Sequence, residues 1–159
     1  MKRFLLAAGL CLLTACQSTG SATQVTSGGG SPSVGLTGSF GADLNAFRAA
    51  QGRGAVQPNA LLRQAAQLHA EDMNQRGYFS HQSPGGPNGN DMAARVAATG
   101  CQYRAVAENI ARGQTSEAQV FSSWQDSSGH RRNMLGAQYD GYGLGRSGNT
   151  WVLVLSRGC

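Results

Sequence analysis

The sequence is poor in charge and in aromatic residues, which make up 13% and 7% of the chain. Only one lysine is present, and no run of arginines is longer than the pair Arg131-Arg132. A nucleic-acid-binding surface normally needs a clustered basic face, so this composition argues against nucleic acid as a partner. The low aromatic content gives no indication of a stacking surface.

Two motifs that identify hydrolases are missing. No His-Glu-x-x-His segment occurs, although that helical spacing is the strongest sequence sign of a catalytic zinc. No Gly-x-Ser-x-Gly segment occurs either, so nothing indicates a strained turn exposing a nucleophilic serine. Internal repeats are also missing. A serine hydrolase and a repeat architecture are therefore both disfavoured.

The first residues have the layout of a secretory leader. Lys2 and Arg3 precede an apolar run at 4–13 that is too short to span a bilayer as a finished helix. The run ends in Leu13-Thr14-Ala15-Cys16, which resembles a bacterial lipobox. We expect residues 1–15 to be a lipoprotein signal peptide and Cys16 to be the acylated N-terminus, with an ordinary signal peptide as the alternative. Gln17, instead of the aspartate that retains lipoproteins in the inner membrane, favours the outer membrane.

Residues 16–38 would then form the lipidated N-terminus and a flexible linker. This stretch is dominated by Ser, Gly, Thr, Ala and Gln and has no apolar period. Removal of the leader leaves 11 arginines against 8 acidic residues, so the net charge falls from +5 to +3. Residues 39–159 are enough for one domain with a single core.

Cysteine usage predicts one disulfide. Cys11 belongs to the leader and Cys16 is expected to carry lipid, which leaves Cys101 and Cys159 in an oxidising export compartment. A bond between them would close a loop of about sixty residues and stabilise the fold by about 4 kcal/mol in the chain-entropy estimate. The alternative is a pair of buried free thiols.

Apolar periodicity predicts helices alternating with short strands. Helices are expected at 40–52, from Pro58 to Gly77, at 92–99 and after Ser116, and strands at 102–110, 141–146 and 150–156. Ser116 and Gln119 have the spacing of a capping box, and Gly148-Asn149 is a plausible hairpin turn. This order predicts an α+β fold, with a small antiparallel sheet covered by helices on both faces.

Several segments, taken in order, resemble the CAP superfamily in its short bacterial form. This superfamily comprises the SCP-domain proteins related to cysteine-rich secretory proteins, antigen 5 and plant pathogenesis-related proteins. The matching segments are Leu44-Asn45-Ala46-Phe47-Arg48, Ala65-Ala66 with Asp72-Met73, Phe79-Ser80-His81, Ala107-Glu108-Asn109-Ile110-Ala111, Trp124, 129–135 and Tyr142-Gly143-Leu144-Gly145. The resemblance implies an α/β/α sandwich with a central cleft, the CAP fold.

The resemblance also implies the site residues. His81 and His130 match the two cleft histidines of the family, and Glu108 matches the glutamate of its Glu-Asn pair. The fourth position, commonly a glutamate three residues past the helix Trp, is Ser127 here, and Asp126 would point about 100° away on a helix. Only one carboxylate then remains for acid and base roles.

Two imidazoles and one carboxylate could hold a four-coordinate zinc with an open, water-bearing position. Alternatively, His81, Glu108 and His130 hydrogen-bond one another in a structural network without metal. In that network the carboxylate would favour protonated imidazoles unless burial or a metal opposes it. His69, on the second helix, is interpreted as a hydrogen-bonded residue at the helix edge and left out of the site.

We therefore predict an exported CAP-domain lipoprotein whose His/Glu cleft binds a small ligand or metal, with no catalytic activity assigned. The alternative is a metal-dependent hydrolase acting on peptide, cell wall or phosphodiester. Candidate ligands are a small molecule, a lipid of the kind carried by some family members, or cell-wall material, and Arg131 and Arg132 could bind an anionic group. Trp124 and Trp151 are interpreted as core residues.

Overall fold

The computed structural model describes residues 39–159, which form five helices and four strands. The expected signal peptide, the lipidation site Cys16 and the linker lie outside the described residues. The helices are α1 (Ser39–Ala50), α2 (Ala60–Gln75), α3 (Met92–Ala98), α4 (Glu117–Asp126) and α5 (Ser128–Met134). The strands are β1 (Gln57–Pro58), β2 (Ala105–Arg112), β3 (Gly141–Ser147) and β4 (Thr150–Arg157). The predicted α+β class is confirmed.

The sheet has the order β1-β3-β4-β2, with β4 antiparallel to both β2 and β3. The predicted all-antiparallel sheet needs one correction, because β1 pairs in parallel with the start of β3. The pairing is made by hydrogen bonds from Gln57 N–H to Asp140 O (2.8 Å) and from the N–H of Asn59, the residue after β1, to Tyr142 O (2.9 Å). A two-residue strand is too short to leave an alternating pattern, which is why periodicity did not reveal it.

Helices cover both faces of the sheet, as predicted. One apolar cluster joins α1, α4 and α5 to one face and contains both tryptophans, Trp124 and Trp151, fully buried. The other joins α2 and α3 to the opposite face through residues such as Leu62, Val96 and Val154. Side chains of β2 alternate between these clusters, so Ile110 belongs to the second and Ala107 to the first. Among residues 39–159, no helix combines the length and apolar character needed to cross a membrane.

Side chains cap several helices at positions close to those predicted. α2 begins at Ala60, two residues after the predicted start at Pro58, and Asn59 caps it, its amide oxygen accepting from the backbone N–H groups of Leu61 and Leu62. Ser116 accepts from Gln119 N–H at 3.2 Å, as a capping box requires. The Gln119 side chain, however, accepts from Thr115 N–H at 2.8 Å, one residue earlier than the motif predicts.

A buried arginine fixes the end of α5. Arg48 on α1 is fully buried and donates to the carbonyl oxygens of Met134 (2.6 Å), Gly136 (3.1 Å) and Gly54 (2.7 Å). The first two are carbonyls at and just beyond the C-terminal end of α5, where a cation is favoured by the helix dipole. Burial, with a smaller effect of Arg53, lowers the pKa of Arg48. The contact holds α5, which carries His130, against α1.

The predicted disulfide is present between Cys101 and Cys159, whose Cα atoms are 5.1 Å apart. It joins the chain before β2 to the last residue. Next to it, the Asn59 amide donates to Cys159 O at 3.1 Å, so the residue that caps α2 also contacts the C-terminus.

Cys101→Ala and Cys159→Ala are each expected to lower the free energy of unfolding by about 2–4 kcal/mol, because the unfolded chain loses its cross-link. The double variant should cost no more than either single variant, since all three remove the same bond. Urea denaturation measures the loss, and hydrogen exchange should show faster opening at the end of β4 first. Non-reducing peptide mapping that finds both thiols free in the wild type would contradict the prediction.

Candidate functional site

The centre of the candidate site is the buried carboxylate of Glu108, whose side chain is 2% exposed. Glu108 lies in the middle of β2, opposite Val154 of β4, and points to the α2/α3 face. Its Oε1 accepts from His81 Nδ1 at 2.8 Å. Both oxygens accept from Arg95 Nη2, at 3.0 and 2.8 Å. A charged carboxylate at this depth needs such partners, so Glu108 is the hub of a buried polar network.

Arg95 was not anticipated from the sequence. It lies in the last turn of α3, is 3% exposed, and is the salt-bridge partner of Glu108 within the residues described. Its Nη1 also donates to Ser83 Oγ at 3.0 Å, and its Nη2 to His81 O at 3.1 Å. One guanidinium therefore fixes both the carboxylate and the loop that carries His81. Arginine side chains are normally exposed, so there was little sign in the sequence that Arg95 is buried. Its position beside Val96 in a short helix was the only one.

His81 lies on the loop between α2 and α3, and its side chain is 52% exposed. A carboxylate oxygen only accepts, so Nδ1 of His81 donates to Glu108 and Nε2 is the ring nitrogen outside this contact. The loop is also closed by a backbone hydrogen bond from Ser83 N–H to Asn90 O at 2.8 Å. Glu108 thus fixes the orientation of the imidazole from the interior of the protein, and the other side of the ring is accessible.

The prediction that His69 is hydrogen-bonded is confirmed, but its placement at the helix edge was wrong. Its side chain is fully buried, and Nε2 lies 3.8 Å from Glu108 Oε1. Nε2 also lies 3.1 Å from Ser80 O, a carbonyl that can only accept, so Nε2 carries the proton. Nδ1 is buried without a hydrogen-bond partner in the described chain. Burial lowers the pKa of His69, helped by the Arg95 charge and opposed mainly by Glu108.

His130 lies on α5 and is held mainly through backbone and ring contacts. Asn109, fully buried next to Glu108, donates to His130 O at 3.1 Å, and Asn133 Nδ2 lies 2.9 Å from Asn109 Oδ1 and 3.2 Å from Glu108 O. The His130 ring packs against Trp124, with centroids 6.5 Å apart. Burial, followed by the nearby His81, lowers the pKa of His130. Burial therefore outweighs any stabilisation of the protonated form by Glu108.

Ser127, where the resemblance implies a second acid, separates α4 from α5. Its backbone is extended (φ −87°, ψ 122°), so the helical angle expected between Asp126 and Ser127 does not apply there. Arg131 stacks on the Phe47 ring, with the guanidinium carbon 4.7 Å from the centroid. That contact favours a packing role for Arg131 over binding of an anion.

An open groove of about 530 Å³ runs past the His81-Glu108 pair. Its walls come from β2, from the loop before α3 and the start of that helix, from Asn133 near the end of α5, and from Tyr139 between α5 and β3. It is lined by Val106, Ala107, Glu108, Asp91, Met92, Ala93, His81, Gln82, Asn133 and Tyr139. His130 is not among the lining residues. The volume is in the range of small-ligand sites, and five of the ten lining residues are polar or charged.

The donors present do not form a site that fits zinc. Within residues 39–159, no three His, Cys, Asp or Glu side chains are grouped so as to hold one ion. The oxygens of Glu108 are engaged by Arg95, a cation that a second cation would have to displace. Of the three predicted site residues, His81 and Glu108 thus form a hydrogen-bonded pair, and His130 is a separate imidazole nearby.

The pKa directions of His69 and His130 predict loss of stability on mild acidification. Both pKa values are lowered on folding, so just below pH 6.5 the unfolded chain binds more protons than the native one. The free energy of unfolding is therefore highest above that pH and falls as pH drops from about 7 toward about 5. The slope from His69 is at most about 1.4 kcal/mol per pH unit. Urea titrations at several pH values measure it. His69→Gln should flatten the slope, and a wild-type profile already flat across this range would contradict the prediction.

The chain belongs to the CAP, or cysteine-rich secretory protein, family, because the family model matches residues 42–154. The protein YkwD of Bacillus subtilis (strain 168), whose function is uncharacterized, is 36% identical over 110 residues. The match covers 68% of this chain but only 42% of YkwD, so the chain spans less than half the length of that relative.

Solved structures share the fold. An extracellular SCP-domain protein from Bacillus anthracis (str. Ames) has a TM-score of 0.70 and 24% identity, over 74% of this chain and 39% of that one. An outer surface protein from Borrelia burgdorferi has a TM-score of 0.65 and 15% identity, over 74% of this chain and 89% of that one. The predicted CAP fold is therefore confirmed.

Proposed function

We propose that this protein is an exported, membrane-anchored CAP-domain protein that binds a small ligand in the groove beside His81. The observation that carries the proposal is the orientation of His81. Its Nδ1 is engaged by a buried carboxylate while the half-exposed ring lines an open groove. A ring held in this way presents Nε2 to a ligand at little entropic cost.

Export and anchoring are supported by the leader-like sequence at 1–16 and by the neighbours in fold. One neighbour is described as extracellular and another as an outer surface protein. Gln17, in place of the aspartate that retains lipoproteins in the inner membrane, supports the outer-membrane location that is part of the proposal.

The alternative, a metal-dependent hydrolase, has less support. A hydrolytic zinc needs three protein ligands and an open position, and the described residues offer no grouped set of three. Glu108 would act as ligand or base, yet its oxygens already accept from Arg95 and His81. Binding without a catalytic cycle is the function that these contacts favour.

Binding is tested by NMR titration of isotope-labelled residues 39–159 with three separate probes: a disaccharide-tetrapeptide from peptidoglycan, lauric acid and Zn²⁺. We expect at least one organic probe to shift the resonances of Val106, Asp91 and the His81 ring. His81→Ala should abolish those shifts, whereas Arg104→Ala, an exposed change, should leave them. If Zn²⁺ alone bound stoichiometrically and required Glu108, the hydrolase alternative would replace the proposal. If no probe shifted the groove, ligand binding there would be rejected.

Cys16→Ala is expected to release the protein from the membrane, because Cys16 is the only residue of the leader region that the lipobox pattern selects for acylation. Fractionation of cells expressing the full chain measures the change, with Cys11→Ala as the matched control that should stay membrane-bound. A Cys16→Ala protein that still fractionates fully with membranes would contradict lipid anchoring.

A further inference from the structure

The edge of the sheet suggests what the groove binds. β2 pairs with β4 on one side only and is the last strand of the sheet. In an antiparallel pair, alternate residues point both backbone groups toward the partner strand or away from it. Gly113 N–H donates to Asn149 O at 2.9 Å, which fixes the phase of that alternation. The backbone groups of Val106, Glu108 and Ile110 therefore point outward.

Two outward carbonyls already have side-chain partners. Asn133 Nδ2 donates to Glu108 O at 3.2 Å, and Trp124 Nε1 donates to Ile110 O at 3.3 Å. These contacts agree with the phase and cover the C-terminal half of the edge with α4 and α5. The N-terminal half is different: Val106 N–H, Val106 C=O and Glu108 N–H have no hydrogen-bond partner within residues 39–159.

The uncovered half of the edge coincides with the groove. Val106, Ala107 and Glu108 form one wall, and the start of α3 lies opposite. The three unpaired groups are a donor, an acceptor and a donor in the spacing of a β-ladder, which an extended peptide matches and a lipid chain does not. Since unpaired strand edges are normally covered, this one is a place for an added strand.

Charge restricts the peptide further. Glu108 is balanced by Arg95, but Asp91, also in the groove wall, has no salt-bridge partner in the part of the chain described. Its side chain makes one hydrogen bond, accepted from Ala94 N–H at 2.8 Å. The wall thus keeps one uncompensated negative charge near the free edge.

We propose that the groove binds an extended peptide segment by β-strand addition to Val106–Glu108, with a cationic side chain or amino group of the peptide near Asp91. This inference rests on the proposed function of the groove and specifies its ligand class. The occupant we propose is an extended segment of a protein partner, because a cell-wall stem peptide contains D-residues and lacks the regular backbone spacing of a β-strand.

The test uses the capped peptide Ac-Ala-Val-Lys-Val-Ala-NH₂ and two N-methylated forms, one modified at the two valines and the other at the lysine. In an added strand only alternate N–H groups face β2. One form should therefore lose affinity by about tenfold and the other by less than about twofold, measured by NMR titration. If the disaccharide-tetrapeptide probe displaces this peptide, cell-wall peptides use the same edge and a protein segment as the occupant is overturned.

Variants of the protein test the same contact from the other side. Val106→Pro removes the outward N–H without removing a bond to β4, and proline is tolerated on edge strands. It should weaken binding about tenfold relative to Val106→Ala, which keeps the backbone donor. Asp91→Asn should weaken binding of the lysine peptide but not of its norleucine counterpart.

The outcomes separate this inference from the proposed function. If the peptide shifts groove resonances but neither methylation pattern changes its affinity, strand addition is overturned and groove binding is left intact. Binding of lauric acid in the groove with no binding of any peptide also overturns the inference alone. If neither peptides nor the other probes bind, both are rejected. The N-methyl comparison needs no variant, so it decides even if Val106→Pro does not fold.

Discussion

Gly143→Ala is expected to prevent stable folding, with a loss of more than about 3 kcal/mol, at the upper end of the cost of overpacking. A Cβ at Gly143 would overlap the backbone of α2 at Leu62 and Arg63, and one at Gly145 would overlap Ala66 and Gln67. These neighbours are backbone atoms, so no rotamer change can make room. The two glycines allow α2 to lie directly on β3.

Circular dichroism and urea denaturation of Gly143→Ala and Gly145→Ala measure the effect. Gly54→Ala is the matched control, because a Cβ there would have no heavy atom within 4 Å. Wild-type stability in both variants would show that α2 packs farther from β3 than described. A consequence for function follows, because α2 carries His69 into contact with Glu108, and weaker packing of α2 would disturb the back of the site.

Arg95→Met is expected to lower the free energy of unfolding by about 3–5 kcal/mol, since it leaves Glu108 buried without its cation. Arg104→Met, an exposed arginine on the segment before β2, should change stability by less than about 0.5 kcal/mol. Adding Glu108→Gln to Arg95→Met should recover part of the loss, because the unpaired charge is then gone. An additive double variant would mean that the two residues do not interact.

The same variant has a readout at the groove. Arg95 also donates to His81 O, so Arg95→Met should loosen the loop and let the His81 ring reorient. ¹⁵N NMR of the imidazole reports which nitrogen carries the proton. Arg95→Lys should not restore the wild-type pattern, because one ammonium lacks the planar fork that contacts Ser83, His81 and Glu108 together. If a folded Arg95→Met protein kept the wild-type tautomer of His81, Arg95 would not control the orientation of the loop that carries His81.

Local sequence patterns were sufficient for most of the elements. Ser116 caps α4 because its short side chain reaches the free N–H of Gln119, one turn ahead. The turn at Gly148 joins β3 to β4, with φ of 60° that glycine adopts without strain. Both effects act over a few residues, so sequence alone can reveal them. The same holds for the fold class, because apolar periodicity states which face of each element is buried.

The order of the family motifs led to His81 and Glu108, and the structure brings these two into contact. It did not lead to Arg95 or His69. A buried charge is recognised only from the group that neutralises it, and Arg95 and Glu108 meet through the packing of α3 on β2. In the sequence, His69 is one more position of an amphipathic helix. Only the packing of α2 shows that it faces the Glu108 carboxylate.

By itself, the sequence determined four of the helices, the three longer strands, the disulfide partners and the His81-Glu108 pair, because each depends on local periodicity, on cysteine count or on an ordered set of motifs. Only the tertiary structure decided which charges share the interior, that β1 joins the sheet in parallel, and that half of the outer edge of β2 is left uncovered beside His81. The physical reason is that these features arise from contacts between segments distant in sequence, where desolvation and geometry select the partners.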